Sequence, residues 1–122
     1  MVSFTVTELS RDLQNIGRTL LWENENTTVP FKEQIIKLDD LSTYTALDII
    51  FRLNTESQSY TTNRHEIGVK TGNNTSSNGD GSHYFREVTP LSSGDVTIGK
   101  GVIADTGYDN SFLIPYRIYG IK

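Results

Sequence analysis

The chain of 122 residues contains no cysteine, one methionine, one tryptophan and only two alanines. Without cysteine it has no disulfide, no thiolate metal ligand and no thiol nucleophile. No apolar run approaches the roughly 18 residues that a transmembrane helix needs, so we expect no membrane insertion. Acidic residues outnumber basic ones by 15 to 11, and the chain lacks the clustered cations that contact phosphates. We therefore expect no nucleic-acid partner.

The residues that are abundant favour β structure. Threonine occurs 15 times, serine 11 times and asparagine 9 times. The six tyrosines and five phenylalanines outnumber the single methionine and the single tryptophan. Serine and asparagine compete with the helix backbone for hydrogen bonds, whereas β-branched threonine and the aromatics suit strands. The composition predicts a mostly β domain with polar turns.

Alternation of apolar and polar residues locates the strands. The clearest case is 45–53, in which Leu47, Ile49, Phe51 and Leu53 fall on one face. Further strands are predicted at 18–23, 33–38, 64–70, 83–88, 96–98 and 112–121. Seven or eight short strands with frequent turns predict an all-β fold, an antiparallel β-sandwich of the jelly-roll kind over residues 18–122. Residues 1–17 form a separate N-terminal segment, in which Leu9, Leu13 and Ile16 have the spacing of a short helix.

Two segments have special features. Residues 71–82 contain no hydrophobic side chain, so we expect an exposed loop there. Pro115 interrupts the last predicted strand, and because proline cannot donate to a ladder it indicates an edge strand or a bulge.

Patterns that carry catalysis or metal binding are missing from the sequence. His65 and His83 do not have the spacing of a metal site, and no Gly-x-Ser-x-Gly motif occurs. The paired carboxylates of Asp39 and Asp40 fall in a predicted turn, where solvation is the usual state. We predict no catalytic residue, no metal site and no cofactor, and a protein that is not an enzyme.

The remaining chemistry is that of tyrosines near polar turns. Aromatic faces stack on the C–H surfaces of sugars, while amides, imidazoles and carboxylates pair with their hydroxyls. The predicted ligand-binding residues are Tyr60, His83, Tyr84, Tyr108 and Asp109. The alternative is that each ring packs against its own loop and leaves only its hydroxyl in water.

Four segments resemble a known module in the same order along the chain. They are LLWEN at 20–24, FKEQIIKL at 31–38, VTIGKG at 96–101 and LIPYRIYGIK at 113–122. Together they are similar to the C-terminal receptor-binding tip module of bacteriophage tail-fibre or baseplate proteins. The likeness spans residues 18–122, but 54–88 matches no segment of the module.

The resemblance implies a function. It implies a non-enzymatic module in a virion tail fibre or baseplate, made in the host cytoplasm, that binds a host cell-surface receptor such as a glycan. It also implies a homotrimer, with residues 1–17 as a connection to the fibre. Two alternatives stay open: a structural module that trimerises or caps a fibre without recognising a receptor, and a small depolymerase.

One sequence feature bears on the trimer. The predicted strand 112–121 is apolar on both faces, so both faces are expected to be buried. The second face is covered either by a neighbouring subunit or by the N-terminal segment of the same chain.

Overall fold

The computed structural model describes residues 18–72, 83–104 and 107–122, which form antiparallel β-sheets without a helix. The all-β sandwich prediction is confirmed at this level. The predicted N-terminal helix or strand, and positions 73–82 of the predicted loop, lie outside the described residues. The strands are β1 (Arg18–Glu23), β2 (Gln34–Lys37), β3 (Ala46–Asn54), β4 (Tyr60–Glu66), β5 (Thr71–Gly72), β6 (Tyr84–Phe85), β7 (Glu87–Pro90), β8 (Asp95–Ile98), β9 (Val102–Ile103), β10 (Gly107–Tyr108) and β11 (Phe112–Ile121).

The described strands make three sheets. Sheet 1 has the order β1-β11-β3-β4, and sheet 2 has the order β2-β8-β7-β5. The small sheet has the order β10-β9-β6. Every pairing is antiparallel. The last strand, β11, therefore lies inside sheet 1 between the first and third strands of the chain.

The core lies between the inner faces of sheets 1 and 2. The alternation predicted for β3 is confirmed in the core, since Leu47, Ile49 and Phe51 are fully buried there. Sheet 2 contributes Ile36, Val88, Val96 and Ile98, and β11 contributes Leu113 and Ile118. Burying each such side chain stabilises the fold by roughly 1.5–3 kcal/mol before entropy is counted. The sandwich thus gives the surface residues a rigid base.

A buried arginine joins the small sheet to the sandwich. Arg86 separates β6 from β7, where the sequence predicted one continuous strand, and its side chain is fully buried. Its guanidinium donates to the carbonyl oxygens of Phe112 (3.1 Å), Gly99 (2.8 Å) and Asn110 (2.9 Å). Burial lowers its pKa to about 10, so the group stays charged at neutral pH. One side chain therefore holds together the two segments that flank the small sheet, at Gly99 and at 110–112.

Two predicted boundaries are wrong. The fourth strand runs from Tyr60 to Glu66 rather than over 64–70, and it pairs with β3 from Arg52↔Tyr60 to Ala46↔Glu66. Its polar Thr and Asn residues concealed it, because β4 is the edge strand of sheet 1 and one of its faces meets solvent. Thr71 lies in β5 rather than in a loop, and it is half-buried opposite Val88.

Pro115 marks a bulge within a central strand. The register of β11 with β3 shifts between Pro115 and Arg117, so the bulge alternative is confirmed and the edge alternative is not. The shift also breaks the strict alternation that the sequence predicted along β11. As a result Tyr116 and Arg117 lie close together on the outer face of sheet 1.

The second face of β11 is covered within a single chain at two of its apolar positions. Ile114 pairs with Arg52 and Tyr119 pairs with Asp48, which places both on the outer face of sheet 1. Ile114 is 0% exposed and Tyr119 only 6%. The guanidinium of Arg18 lies 4.1 Å from the centre of the Tyr119 ring. Burial of these two side chains therefore needs no neighbouring subunit, and the trimer expectation rests on the resemblance alone.

Candidate ligand-binding surfaces

The small sheet brings several of the predicted site residues onto one three-stranded unit. Its two rows are Tyr84–Ile103–Gly107 and Phe85–Val102–Tyr108, read across β6, β9 and β10. Side chains that are paired across antiparallel strands share a face, and adjacent rows face opposite sides. We name the outer face, made by His83, Phe85, Lys100, Val102 and Tyr108, the small-sheet surface.

Tyr108 is the most exposed aromatic residue described on this surface. It is 65% exposed, although it is held in β10 opposite Val102. The ammonium of Lys100 lies 3.8 Å from the centre of its ring. A cation at this distance is attracted by the ring electrons, which fixes the Lys100 side chain beside Tyr108. The pair presents an aromatic ring and a positive charge side by side to solvent.

The structure corrects the interpretation of Tyr84. This residue is 5% exposed, and its ring stacks on Phe112 with the centroids 3.7 Å apart. It belongs to the inner row of the small sheet and to the core. Strand alternation turns Tyr84 inward between His83 and Phe85, so its ring is not available to stack on a sugar.

Asp109 shapes a turn rather than reaching outward. Its carboxylate accepts hydrogen bonds from the backbone N–H of Ser111 (2.9 Å) and from the Ser111 hydroxyl. Its own N–H donates to the carbonyl oxygen of Gly101 (2.8 Å). A side-chain Cβ at position 101 would lie 2.2 Å from the carbonyl oxygen of Asp109, so glycine is required there. Asp109 thereby fixes the chain between β10 and β11.

His83 and Tyr60 lie away from Tyr108. His83 is exposed, and its carbonyl oxygen accepts from the N–H of Ala104 (2.9 Å). Ala104 is four residues further along the chain than Lys100. His83 therefore lies at the opposite end of the small-sheet surface from Lys100. Tyr60 is on β4 of sheet 1 and belongs to a different surface.

That second surface is built around a pair of tyrosines. Tyr60 is 49% exposed, and its ring centre lies 5.3 Å from that of half-buried Tyr116. The guanidinium of Arg117 lies 4.4 Å from the Tyr116 ring centre and donates from Nε to Oε2 of Glu23 at 2.6 Å. We name these four residues, with Ile50 and Thr62, the tyrosine-pair surface.

Sequence reasoning found Tyr60 but missed its neighbours. The register aligns Glu23, Arg117, Ile50 and Thr62 as one row across the four strands of sheet 1. Tyr116 and Arg117 are adjacent in sequence, so strict alternation assigns them to opposite faces. The Pro115 bulge brings them together, and the proline was the signal that could have revealed this.

His65 is a packing residue rather than a base. It is 2% exposed, and its Nδ1 hydrogen-bonds to the hydroxyl of Thr71, which links β4 to β5 across the two sheets. Burial lowers its pKa to about 4, although the nearby carboxylate of Asp48 opposes that shift. Neutral His65 thus connects the layers of the sandwich.

Two further findings concern the residues described. They contain no group of three or more His, Asp or Glu side chains that is placed to hold a metal ion. Within residues 18–72, 83–104 and 107–122, no helix has the length and apolar character that crossing a membrane requires.

Comparison of the chain with known protein families, with curated proteins and with solved structures finds no match.

Proposed function

We propose that this chain is a non-enzymatic tip module of a bacteriophage tail fibre or baseplate that binds a host cell-surface glycan through its small-sheet surface. The observation that carries the proposal is the 65% exposure of the Tyr108 ring next to the Lys100 ammonium. Burying so much aromatic surface against a ligand is favourable, and a sugar ring offers the matching C–H face.

The support beneath Tyr108 suits a binding role. The ring belongs to a three-stranded sheet whose inner row packs on the core through Tyr84 and Phe112. Arg86 and Asp109 fix the segments on either side of β9 and β10. A contact residue on a rigid element binds without the entropic cost of ordering a loop.

The charge beside the ring favours one kind of sugar. The Lys100 ammonium provides three hydrogen-bond donors and a positive charge. An acidic sugar places a carboxylate on the same ring whose C–H face stacks on the tyrosine. The proposed ligand of this surface is therefore a glycan that contains acidic sugars. Weak binding by single sites is strengthened by avidity when several copies are held on one fibre.

A glycan array tests the proposal. The labelled wild-type chain is compared with Tyr108→Ala and Lys100→Ala, and with Ile35→Ala as a control for an exposed apolar side chain on sheet 2. Tyr108→Ala and Lys100→Ala are expected to lower binding to acidic glycans by about tenfold or more, whereas Ile35→Ala leaves it unchanged.

Two results would contradict the proposal. One is a folded wild-type chain that binds no glycan on the array, which favours the structural capping or trimerisation module. The other is release of reducing ends from a bound polysaccharide, which favours the depolymerase.

A further inference from the structure

We infer that the tyrosine-pair surface is a second glycan site, distinct from the small-sheet surface, and that it binds neutral sugars. The juxtaposition behind this inference is that of Tyr60 and Tyr116 with the Arg117–Glu23 ion pair on the outer face of sheet 1. The inference rests on the proposed function only for the class of ligand, a glycan, and it uses different residues.

The two rings make a continuous aromatic platform. Their centres are 5.3 Å apart and their planes are inclined by 41°, so they form neighbouring facets of one surface. Ile50 and Thr62 extend this surface across β3 and β4. Neighbouring strands are about 4.8 Å apart, so the row from β1 to β4 spans roughly 14 Å, which is wider than one sugar ring.

The ion pair supplies both the hydrogen-bond donors and the hydrogen-bond acceptors that sugar hydroxyl groups pair with. A neutral sugar displays hydroxyl groups on adjacent carbons, and each hydroxyl can donate and accept. Arg117 offers N–H donors and Glu23 offers carboxylate oxygens, with Nε and Oε2 only 2.6 Å apart. Their side chains are 36% and 45% exposed, so both remain within reach of a ligand. Two adjacent hydroxyls can therefore bind one to each partner.

The charges select against acidic ligands. Arg117 and Glu23 neutralise each other, whereas Lys100 brings a positive charge to Tyr108 on the small-sheet surface. Arg52 is a further cation on the outer face of sheet 1, but its Nε and Nη1 donate to the main-chain oxygens of Ser57 and Thr27. A sugar carboxylate at this place would be repelled by Glu23 as much as it is attracted by Arg117. Neutral sugars avoid this cost, which is why the two surfaces should differ in the sugars they bind.

The site is assembled before any ligand arrives. The main-chain N–H of Asn24 donates to Tyr116 O (2.8 Å), and the Asn24 side chain donates to Pro115 O (3.0 Å). These two bonds hold the bulge against the end of β1. Arg52, whose partner in β4 is Tyr60, donates to the carbonyl oxygens of Ser57 (2.7 Å) and Thr27 (3.1 Å). Preorganisation of this kind lowers the cost of binding.

Residue-resolved NMR tests the inference. The ¹⁵N-labelled chain is titrated with glucose, galactose, mannose, rhamnose and N-acetylglucosamine, with maltopentaose and chitopentaose, and with trigalacturonate as the acidic comparison. At least one neutral sugar is expected to shift the amide signals of Tyr60, Thr62, Tyr116 and Arg117 in a saturable way. Trigalacturonate is expected not to shift them.

Variants assign the effect to the surface. Tyr60→Ala is expected to weaken neutral-sugar binding by about tenfold or more, while Ile35→Ala, at an exposed position of sheet 2, leaves it unchanged. Thr62→Arg adds a large side chain at an exposed position of β4, two residues from Tyr60 on the same face, and is also expected to abolish binding. Thr97→Arg, at an exposed position of β8 in sheet 2, is its matched control. The dispersion of the amide spectrum shows whether each variant is folded.

The outcomes separate this inference from the proposed function. Absence of shifts at these amides for every neutral sugar overturns the inference, as does binding that Thr62→Arg leaves intact. If the array finds no role for Tyr108 but neutral sugars still shift Tyr60 and Tyr116, the proposed small-sheet site fails and the second site stands.

Discussion

At the scale of single residues, Arg86 has the most demanding environment among the described side chains. It is a fully buried cation, and its three hydrogen bonds all go to main-chain carbonyl oxygens. Taking a charge out of water is costly unless its donors are satisfied. The residue therefore stabilises the fold only as long as all three carbonyl groups stay in place.

Substitution of Arg86 is expected to be severe. Arg86→Met removes the charge and takes one donor from each of the carbonyl oxygens of Gly99, Asn110 and Phe112, of which Asn110 O keeps the N–H of Phe31. The loss should lower the free energy of unfolding by about 3 kcal/mol or more. Urea denaturation measures this. Lys37→Met is the control, because Lys37 is 72% exposed in its ion pair with Asp95 and should cost less than about 1 kcal/mol. Equal effects of the two substitutions would contradict the role given to Arg86.

His65 makes the stability depend on pH. Its pKa is lowered from 6.5 to about 4 by burial, so the unfolded chain takes up a proton at a higher pH than the folded chain. The contribution of neutral His65 to stability is fully present above pH 6.5 and is lost as the pH falls through 4, by about 3 kcal/mol in all.

The His65→Asn variant isolates this effect. Asparagine keeps a polar atom close to the position of Nδ1, opposite the Thr71 hydroxyl, but does not titrate in this range. Denaturation curves between pH 7 and pH 4 should show a smaller loss of stability in the variant than in the wild type. Parallel pH profiles for the two proteins would refute the assignment to His65.

At the scale of elements, the last strand combines a bulge with a glycine that an aromatic ring covers. A Cβ added to Gly120 in β11 would lie 2.5 Å from the Tyr44 ring. Gly120→Ala is therefore expected to displace Tyr44 and to lower the free energy of unfolding by about 1–3 kcal/mol. In a Tyr44→Ala background the same change should cost less than about 1 kcal/mol, which a double-mutant cycle measures. Additive effects of the Gly120 and Tyr44 substitutions on the free energy of unfolding would contradict a clash with the Tyr44 ring as the cause.

Elements differed in how well the sequence predicted them. The bounds of β1 and β11 agree with their predicted ranges, because apolar and aromatic residues occupy the centre of β1 and most of β11. The two-residue strands β5, β9 and β10 were missed, since a period of two cannot be seen in so short a segment. β4 was displaced because an edge strand with one solvated face has little hydrophobic signal.

The candidate sites were predicted less well than the fold. Tyr60 and Tyr108 were placed on the surface correctly, because each borders a polar turn. The surface position predicted for Tyr84 was wrong because the residue follows a polar segment in sequence while its own side chain points inward. Tyr116 and Arg117 were missed because their proximity arises from a register shift that no local pattern expresses.

At the scale of the whole molecule, the resemblance to fibre tips predicts a trimer. Three chains of 13.7 kDa give about 41 kDa, which light scattering of the purified chain measures directly. A mass of one chain over a wide concentration range would contradict the expected trimer.

The anchoring by Arg86 leaves the surface positions around it free to accept other side chains. Its guanidinium binds only main-chain oxygens, and every amino acid supplies the same oxygen. The positions around Lys100 and Tyr108 can therefore exchange side chains, and with them the chemistry of the small-sheet surface, while the attachment beneath them persists. The side chains that this anchoring itself constrains are Arg86 and the glycine at 101, where a Cβ would meet the carbonyl oxygen of Asp109.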